Sequence, residues 1–293
     1  MTDVFACARA QIYYNSKRKS LAQVKRESGC SHIINGYLFN GSFQPVGWTV
    51  IDGKVISRDA YQDWGISIGS DGKPQMLTDR GGSFLSGVPL LKNGAKLERS
   101  LTPDVARSAA RTAVGWMPDG RICLWCDKTN LTREQLQNKL LGLGVADALM
   151  LDGGGSTTFV AKQEGSDTLT VVNRPSDGYE RSVSSSLMIV STAPVSREFD
   201  HALITAAYDY LTSGATVRLV ASGVSVSGSA AELPADLTWK SADETIGTVS
   251  EEGVFTAVKK GSVEIQLLSG DTVIGSKMLT VVEPNGLKFS KAS

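Results

Sequence analysis

Residues 150–158 read MLDGGGSTT: Asp152, then Gly153, Gly154 and Gly155, then the hydroxyls of Ser156, Thr157 and Thr158. Glycines have no Cβ, so a ligand or another stretch of backbone can approach closely, and their amides can form a nest for an anion. The run is a poor P-loop, because GGGSTT lacks the Gly-Lys-Ser/Thr ending that supplies the phosphate lysine and the metal-binding hydroxyl. It is also a poor dinucleotide fingerprint, since no helix-forming stretch follows the glycines. Two readings remain: a carboxylate held beside room for a ligand, or a tight glycine turn with a capping aspartate. Further polar residues stand where chemistry could be done. Asn35 and Gly36 end an apolar run, Arg111 opens RTAVGW, Asp127 opens DKTN, and VNRPSDGYERSV supplies Asn173, Asp177 and Arg181. Singly, each also has a plain structural role, the arginines in ion pairs, Asp127 as a helix cap and Asn173 and Asp177 in turns beside Pro175 and Gly178.

The elements that must position these groups are legible in part. VFACARAQIYY and SHIINGYLF have strand character, and KSLAQVKRES has helical spacing through Leu21 and Val24 with a stop at Gly29. Asp-Gly pairs in TVIDGKVIS and VGWMPDGRICLW signal two hairpins. LTREQLQNKLLGLG predicts a helix with Thr132 and Gln135 as a capping box, Leu136, Leu140 and Leu143 on one face, and Gly142 or Gly144 at its end. VADALML follows as a short buried strand. The order strand, helix, strand places Asp152 at a strand's carboxyl end, where ligands collect in mixed α/β sheets.

Thirty Lys and Arg balance thirty Asp and Glu, so no global field recruits nucleic acid or an anionic membrane, and anion recognition must be local. No apolar stretch approaches the ~18 residues of a membrane span, and the first residues lack the basic-then-apolar pattern of an export signal. CLWC has the spacing of a redox or zinc motif, but on a strand Cys123 and Cys126 point to opposite faces, so buried or half-buried thiols are expected. A four-cysteine zinc site would need Cys7 and Cys30 to converge on that pair. With His32 and His201 the only histidines, a histidine-rich metal site is excluded and a catalytic triad is poorly supplied. His32, beside apolar residues, reads as packed or at a strand edge.

Composition changes near residue 200. Before it strands mix with a few helices, giving an α+β expectation for residues 1–195, a mixed sheet with helices. After STAPVSREFD come ATVRLVASGVSVSG, LTWKSA, GVFTAVKKG, SVEIQLLSG and KMLTVVE, short alternating strands between glycine turns, as in a small β-sandwich over 201–285.

Taken in order, INGYLF, RTAVG, CDKTNLTREQLQNKLLGLGVADALMLDGGGSTTFV and VNRPSDGYERSVSSSLMIV resemble the phosphodiester glycosidase domain over about residues 5–192. One departure is Tyr37, where the family commonly has a second glycine; it is expected to alter the pocket wall or the sugar preference. LTWKSADETIGTVSEEGVFTAVKKGSVEIQLLSG, with Trp239, resembles the bacterial immunoglobulin-like domain of group 2, a module common on bacterial surface and phage proteins. The first resemblance implies hydrolysis of the bond between a sugar's anomeric carbon and a phosphodiester, on an anionic glycan or sugar phosphate. It implies Asp152 as the carboxylate at the anomeric carbon with Asp127 as second choice, Arg111 and Arg181 as a phosphate clamp, Asn35 and Asn173 as binding sugar hydroxyls or orienting Asp152, and Gly36 and Thr157 near the sugar. The amides of Gly153, Gly154, Gly155 and Ser156 would hold phosphate or sugar oxygens. No cofactor is required, although Asp127, Asp152 and asparagine oxygens are hard ligands that calcium or magnesium accepts. The pairing of the two domains implies a virion-associated or extracellular enzyme acting on cell-wall or surface glycan, attached to a virion or cell surface through the second domain. A non-catalytic carbohydrate-binding or virion structural protein is the alternative.

Overall fold

The structure, a computed structural model, describes residues 8–58, 63–192 and 194–283. Cys7 lies outside the described residues. The chain divides into two compact units, one of Met1–Lys162 with Thr168–Ala193 and one of Gln163–Asp167 with Pro194–Ser293.

In chain order the strands of the first unit are β1 (Ala8–Tyr14), β2 (His32–Asn35), β3 (Thr49–Ile51), β4 (Lys54–Ser57), β5 (Gly65–Ile68), β6 (Pro74–Leu77), β7 (Ser83–Ser86), β8 (Val88–Lys92), β9 (Ala95–Lys96), β10 (Ala109–Trp116), β11 (Ile122–Leu131), β12 (Asp147–Met150), β13 (Phe159–Lys162), β14 (Leu169–Val171) and β15 (Ser185–Ser191). Its helices are α1 (Leu21–Ser28), the single turn α2 (Pro103–Ala106) and α3 (Arg133–Gly142). The strands form three five-stranded sheets ordered β1-β15-β2-β13-β14, β11-β10-β12-β8-β9 and β4-β3-β7-β5-β6. Every described pairing within them is antiparallel, which corrects the expectation of a mixed sheet; this unit is β-dominated. The reason lies at the strand–helix–strand stretch. β11 and β12 do not pair with each other; each lies antiparallel to β10, one on either side, and α3 carries the chain across.

Local sequence dictates most of these boundaries. Ser20 caps α1 by accepting from the Gln23 amide, and Gly29 ends it at φ 67°. Thr132 and Gln135 make both hydrogen bonds of the capping box on α3. Leu136 and Leu140 are fully buried, but Leu143 follows the last turn and is 50% exposed, so it leaves the face expected of it. The Asp52-Gly53 hairpin has both residues at positive φ, 49° and 77°, as a tight twisted turn requires. Ile34, Leu85, Val114, Leu136, Leu149 and Leu187 belong to the main core, while α1 closes a smaller one over Ile33, Val160 and Met188. Tyr37 is also in the main core, 3% exposed and packed against Gly47; it does not form a pocket wall.

The second unit holds β16 (Phe199–Ala206), β17 (Tyr210–Thr212), β18 (Thr216–Ser225), β19 (Ala230–Ala231), β20 (Leu237–Ser241), β21 (Gly247–Val249), β22 (Val254–Ala257), β23 (Gly261–Ser269) and β24 (Thr272–Val282). Two sheets, β16-β18-β22-β21 and β17-β24-β23-β20, enclose Phe255, Ile265, Leu267 and Leu279, with Trp239 packed against them. No described helix is long and apolar enough to cross a membrane.

Candidate active site

β12 ends at Met150, and the chain then enters a cleft of about 590 Å³ lined by Asp152 to Ser156, by Asn40 and Gly41, by Arg107 and Asn130, and by Asp177 and Arg181. Asp152 is half-buried in its wall. Its Oδ1 accepts from the Gly153 amide at 2.8 Å. Burial pushes the carboxyl above the usual range, while a hydrogen bond with Ser156, the Gly153 amide and the charge of Arg181 pull it back.

The three glycines serve three different needs. A Cβ on Gly153 would meet the Ala110 carbonyl at 2.5 Å, and Gly154 sits at φ 60°, the left-handed region. A Cβ on Gly155 would strike both the Asp177 carboxylate and the Arg181 guanidinium. Arg181 donates to Asp177 Oδ2 through Nε at 3.1 Å and Nη2 at 2.5 Å. The room beside Gly153 and Gly155 is therefore occupied by the protein's own carbonyl and ion pair. Likewise Gly36 lies tight against Ser185, where no side chain fits.

Asn35 is fully buried, and its carboxamide is spent inside the protein. Nδ2 donates to the Asp152 and Gly36 carbonyls at 2.8 and 3.2 Å, and Oδ1 accepts from Thr112 Oγ1 at 2.7 Å and the Thr158 amide at 3.1 Å. It fixes the backbone that carries Asp152 and presents no group to a sugar. Asn173 does the same for the other side of the run, accepting from the Phe159 amide at 2.7 Å and donating to the Thr157 carbonyl at 2.9 Å. Thr157 is fully buried.

Two expected members stand elsewhere. Arg111 is 3% exposed and does not line the cleft, donating from Nε to the Leu131 carbonyl at 3.0 Å, from Nη1 to Val105 at 3.1 Å and from Nη2 to Arg107. The register between β10 and β11 shifts between Ala109 and Arg111, and such an irregularity re-aims the side chain beside it. Asp127 does not line the cleft; its Oδ1 accepts from the Thr129 amide at 2.8 Å and hydroxyl at 2.6 Å. Among the described residues no three His, Cys, Asp or Glu side chains converge as metal ligands. Arg107, Asn130 and Asn40 line the cleft without having been singled out from sequence. For Arg107 the available signal was Thr102-Pro103, a helix start just upstream of RTAVG.

The remaining chemical groups have other roles. His32 stacks near Phe159 with ring centres 6.0 Å apart, and burial lowers its pKa, as for a packed histidine. His201 lies in the second unit beside Asp200 and Glu164. Cys30 is buried, and Cys123 and Cys126 are half-buried free thiols. A second groove of about 540 Å³, between β1 and the turns at Gly53 and Gly72, holds none of the candidate residues.

Asp152, the glycine run and the guanidinium groups of Arg107 and Arg181 thus gather in one cleft at the end of β12. The chain belongs to the phosphodiester glycosidase family, which it matches over residues 28–190. Residues 203–281 match the bacterial immunoglobulin-like domain of group 2. Among solved structures, the chain is similar to the catalytic domain of zebrafish N-acetylglucosamine-1-phosphodiester alpha-N-acetylglucosaminidase, auto-inhibited by its pro-peptide, at 23% identity and a TM-score of 0.50 over 64% of this chain and 73% of that one. It is also similar to a hypothetical protein from Synechocystis, at 12% identity and a TM-score of 0.52 over 62% of this chain and 56% of that one. At these identities the likeness speaks to the fold. No curated protein matches the chain.

Proposed function

We propose that this enzyme cleaves the bond between a sugar's anomeric carbon and a phosphodiester, releasing free sugar and a phosphomonoester, with cell-wall or surface glycan as the substrate class. The observation that carries this reading is the meeting of Asp152, the run Gly153 to Ser156 and Arg181 in one cleft. The transition state of such a reaction is oxocarbenium-like, so a carboxylate near the anomeric carbon stabilises it, and Asp152 takes that place. Its raised basicity also suits it to accept a proton from attacking water. Arg181 offers a planar guanidinium to phosphate oxygens. A phosphate leaving group is a weak base, so the absence of a histidine from the cleft lining does not impede departure. Asp127 and Arg111 take no part at the reacting atoms in this reading, and Asn35 and Asn173 hold the frame.

The second unit acts as an attachment module on a virion or cell surface, and the enzyme works outside the cell that makes it. The immunoglobulin-like match supports this assignment. The test is release of free sugar from UDP-N-acetylglucosamine and from a teichoic-acid fragment, with Asp152→Asn as control. Turnover that disappears in the variant supports the reading. Glycan binding without turnover across a broad phosphodiester panel would favour a non-catalytic carbohydrate-binding protein instead. Sedimentation of the full chain with purified bacterial cell walls tests the attachment role, and failure to sediment with any wall preparation removes it.

A further inference from the structure

Two guanidinium groups remain without an assigned task, one in the cleft and one beneath it. Arg107 lines the cleft and is exposed. Its side chain has no hydrogen bond or ion pair among the described residues, unlike Arg181, which is held by Asp177. One terminal nitrogen of Arg107 comes 3.9 Å from where a Cβ on Gly154 would lie, so its charge stands over the glycine run beside Asp152. Arg111 is buried, has no carboxylate partner among the described residues, and gives three of its donors to main-chain carbonyls. Two of those carbonyls, of Val105 and Arg107, belong to the last turn and cap of α2, and the third, of Leu131, ends β11. A helix of four residues has little stability of its own, so external contacts must fix its end. Beneath the glycine run, the Arg111 Cδ lies 3.8 Å from the place a Gly153 Cβ would take.

We propose that Arg107 is the second cation of the anion clamp, lining the same cleft as Arg181, and that Arg111 is a positioning residue that sets Arg107 in place by holding the carbonyls of α2. The assignment rests on the reading of the cleft as a sugar-phosphodiester site. It moves the clamp from the arginine of RTAVG to the arginine four residues earlier, with the buried one acting through the exposed one. An arginine presents a forked set of donors, and only a fork can reach three carbonyls on two elements; a lysine in its place offers a single point charge.

The experiment uses the full chain and inorganic phosphate as probe, titrated calorimetrically, with KM and kcat for UDP-N-acetylglucosamine in parallel. Losing a hydrogen bond to a charged oxygen should weaken phosphate binding of Arg107→Gln about tenfold or more, with a matching rise in KM and an unchanged melting temperature. Arg111→Lys should weaken phosphate binding too, although residue 111 does not line the cleft, and adding it to Arg107→Gln should weaken binding no further. Phosphate binding by Arg107→Gln equal to that of the parent overturns the assignment of Arg107. Fully additive losses in the double variant overturn the positioning role of Arg111. If the parent chain neither binds phosphate nor releases sugar, the reading of the cleft falls, and this assignment with it.

Discussion

Replacing each glycine of the run in turn with alanine should separate folding from function at Gly155. At Gly153 the added methyl meets the Ala110 carbonyl, which belongs to a β10 backbone that cannot swing away, so overpacking should cost about 1–3 kcal/mol. At Gly154 the left-handed φ of 60° costs an alanine about 1–2 kcal/mol. At Gly155 the φ is not positive, and the atoms nearest the methyl are the ends of the Asp177 and Arg181 side chains, which can turn aside. Their ion pair is partly exposed, 43% for Arg181 and 25% for Asp177, so losing it costs at most about 0.5–1 kcal/mol. Alanine recovers about 0.4–1 kcal/mol by restricting the unfolded chain. The two nearly cancel, and Gly155→Ala should unfold within about 0.5 kcal/mol of the parent by denaturant titration. Its activity should not survive so well: with Arg181 displaced from the phosphate, KM for a sugar phosphodiester should rise about tenfold, the worth of a charged hydrogen bond. Gly155→Ala that is the least stable of the three, or that keeps the parent KM, would refute this account of the run.

The carboxyl of Asp152 is held above its ordinary value by burial, so the folded chain binds that proton more tightly than the unfolded chain. The resulting stability is present in full below about pH 4 and is lost as pH rises through the folded value. Asp152→Asn should therefore abolish turnover while leaving stability at neutral pH unchanged or slightly higher, and the acid limb of the parent's kcat profile should lie above about pH 4; a limb at the ordinary carboxylate value contradicts the cleft's electrostatics. Asn35→Ala strands the Thr112 hydroxyl and the Thr158 amide in the interior and should cost about 2–4 kcal/mol by denaturant titration, whereas a loss below about 1 kcal/mol would mean those groups find other partners. Burial pushes the Cys126 thiol up to about 12 and raises Cys123 as well, so neither should be alkylated at pH 8 in the native chain while both react after unfolding, as read by intact mass. Rapid native labelling, or a disulfide between the two, would contradict their placement on one strand, about 10 Å apart by strand rise.

How much of this was legible depends on whether the signal was local. Ser20 and Gly29 bound α1, and Thr132 and Gln135 start α3, because each element's own backbone groups need those partners. The place of Asp152 at a strand end was legible because a short apolar strand followed by glycines marks such an end whatever the sheet topology. The polar residues around it were harder. A carboxamide can bond a sugar or a main chain equally well, and only the approach of β10 and of the Thr157–Phe159 backbone decides that Asn35 and Asn173 are spent internally. Arg111 depended on an irregular register that no residue type announces, and Arg107 on a single turn of helix in an otherwise featureless stretch. The antiparallel topology escaped because strand, helix, strand says that two strands run the same way, and not that a third lies between them.

The acceptors that hold Arg111 are all main-chain oxygens, supplied by Val105, Arg107 and Leu131. Any amino acid at those three positions offers the same oxygen. The anchor and the hand it steadies are thus chemically decoupled: residue 107 could exchange its guanidinium for a shorter, neutral or bulkier side chain without loosening the frame. Within one architecture, the choice of anionic partner can be retuned at a single exposed position while the buried arginine stays as it is.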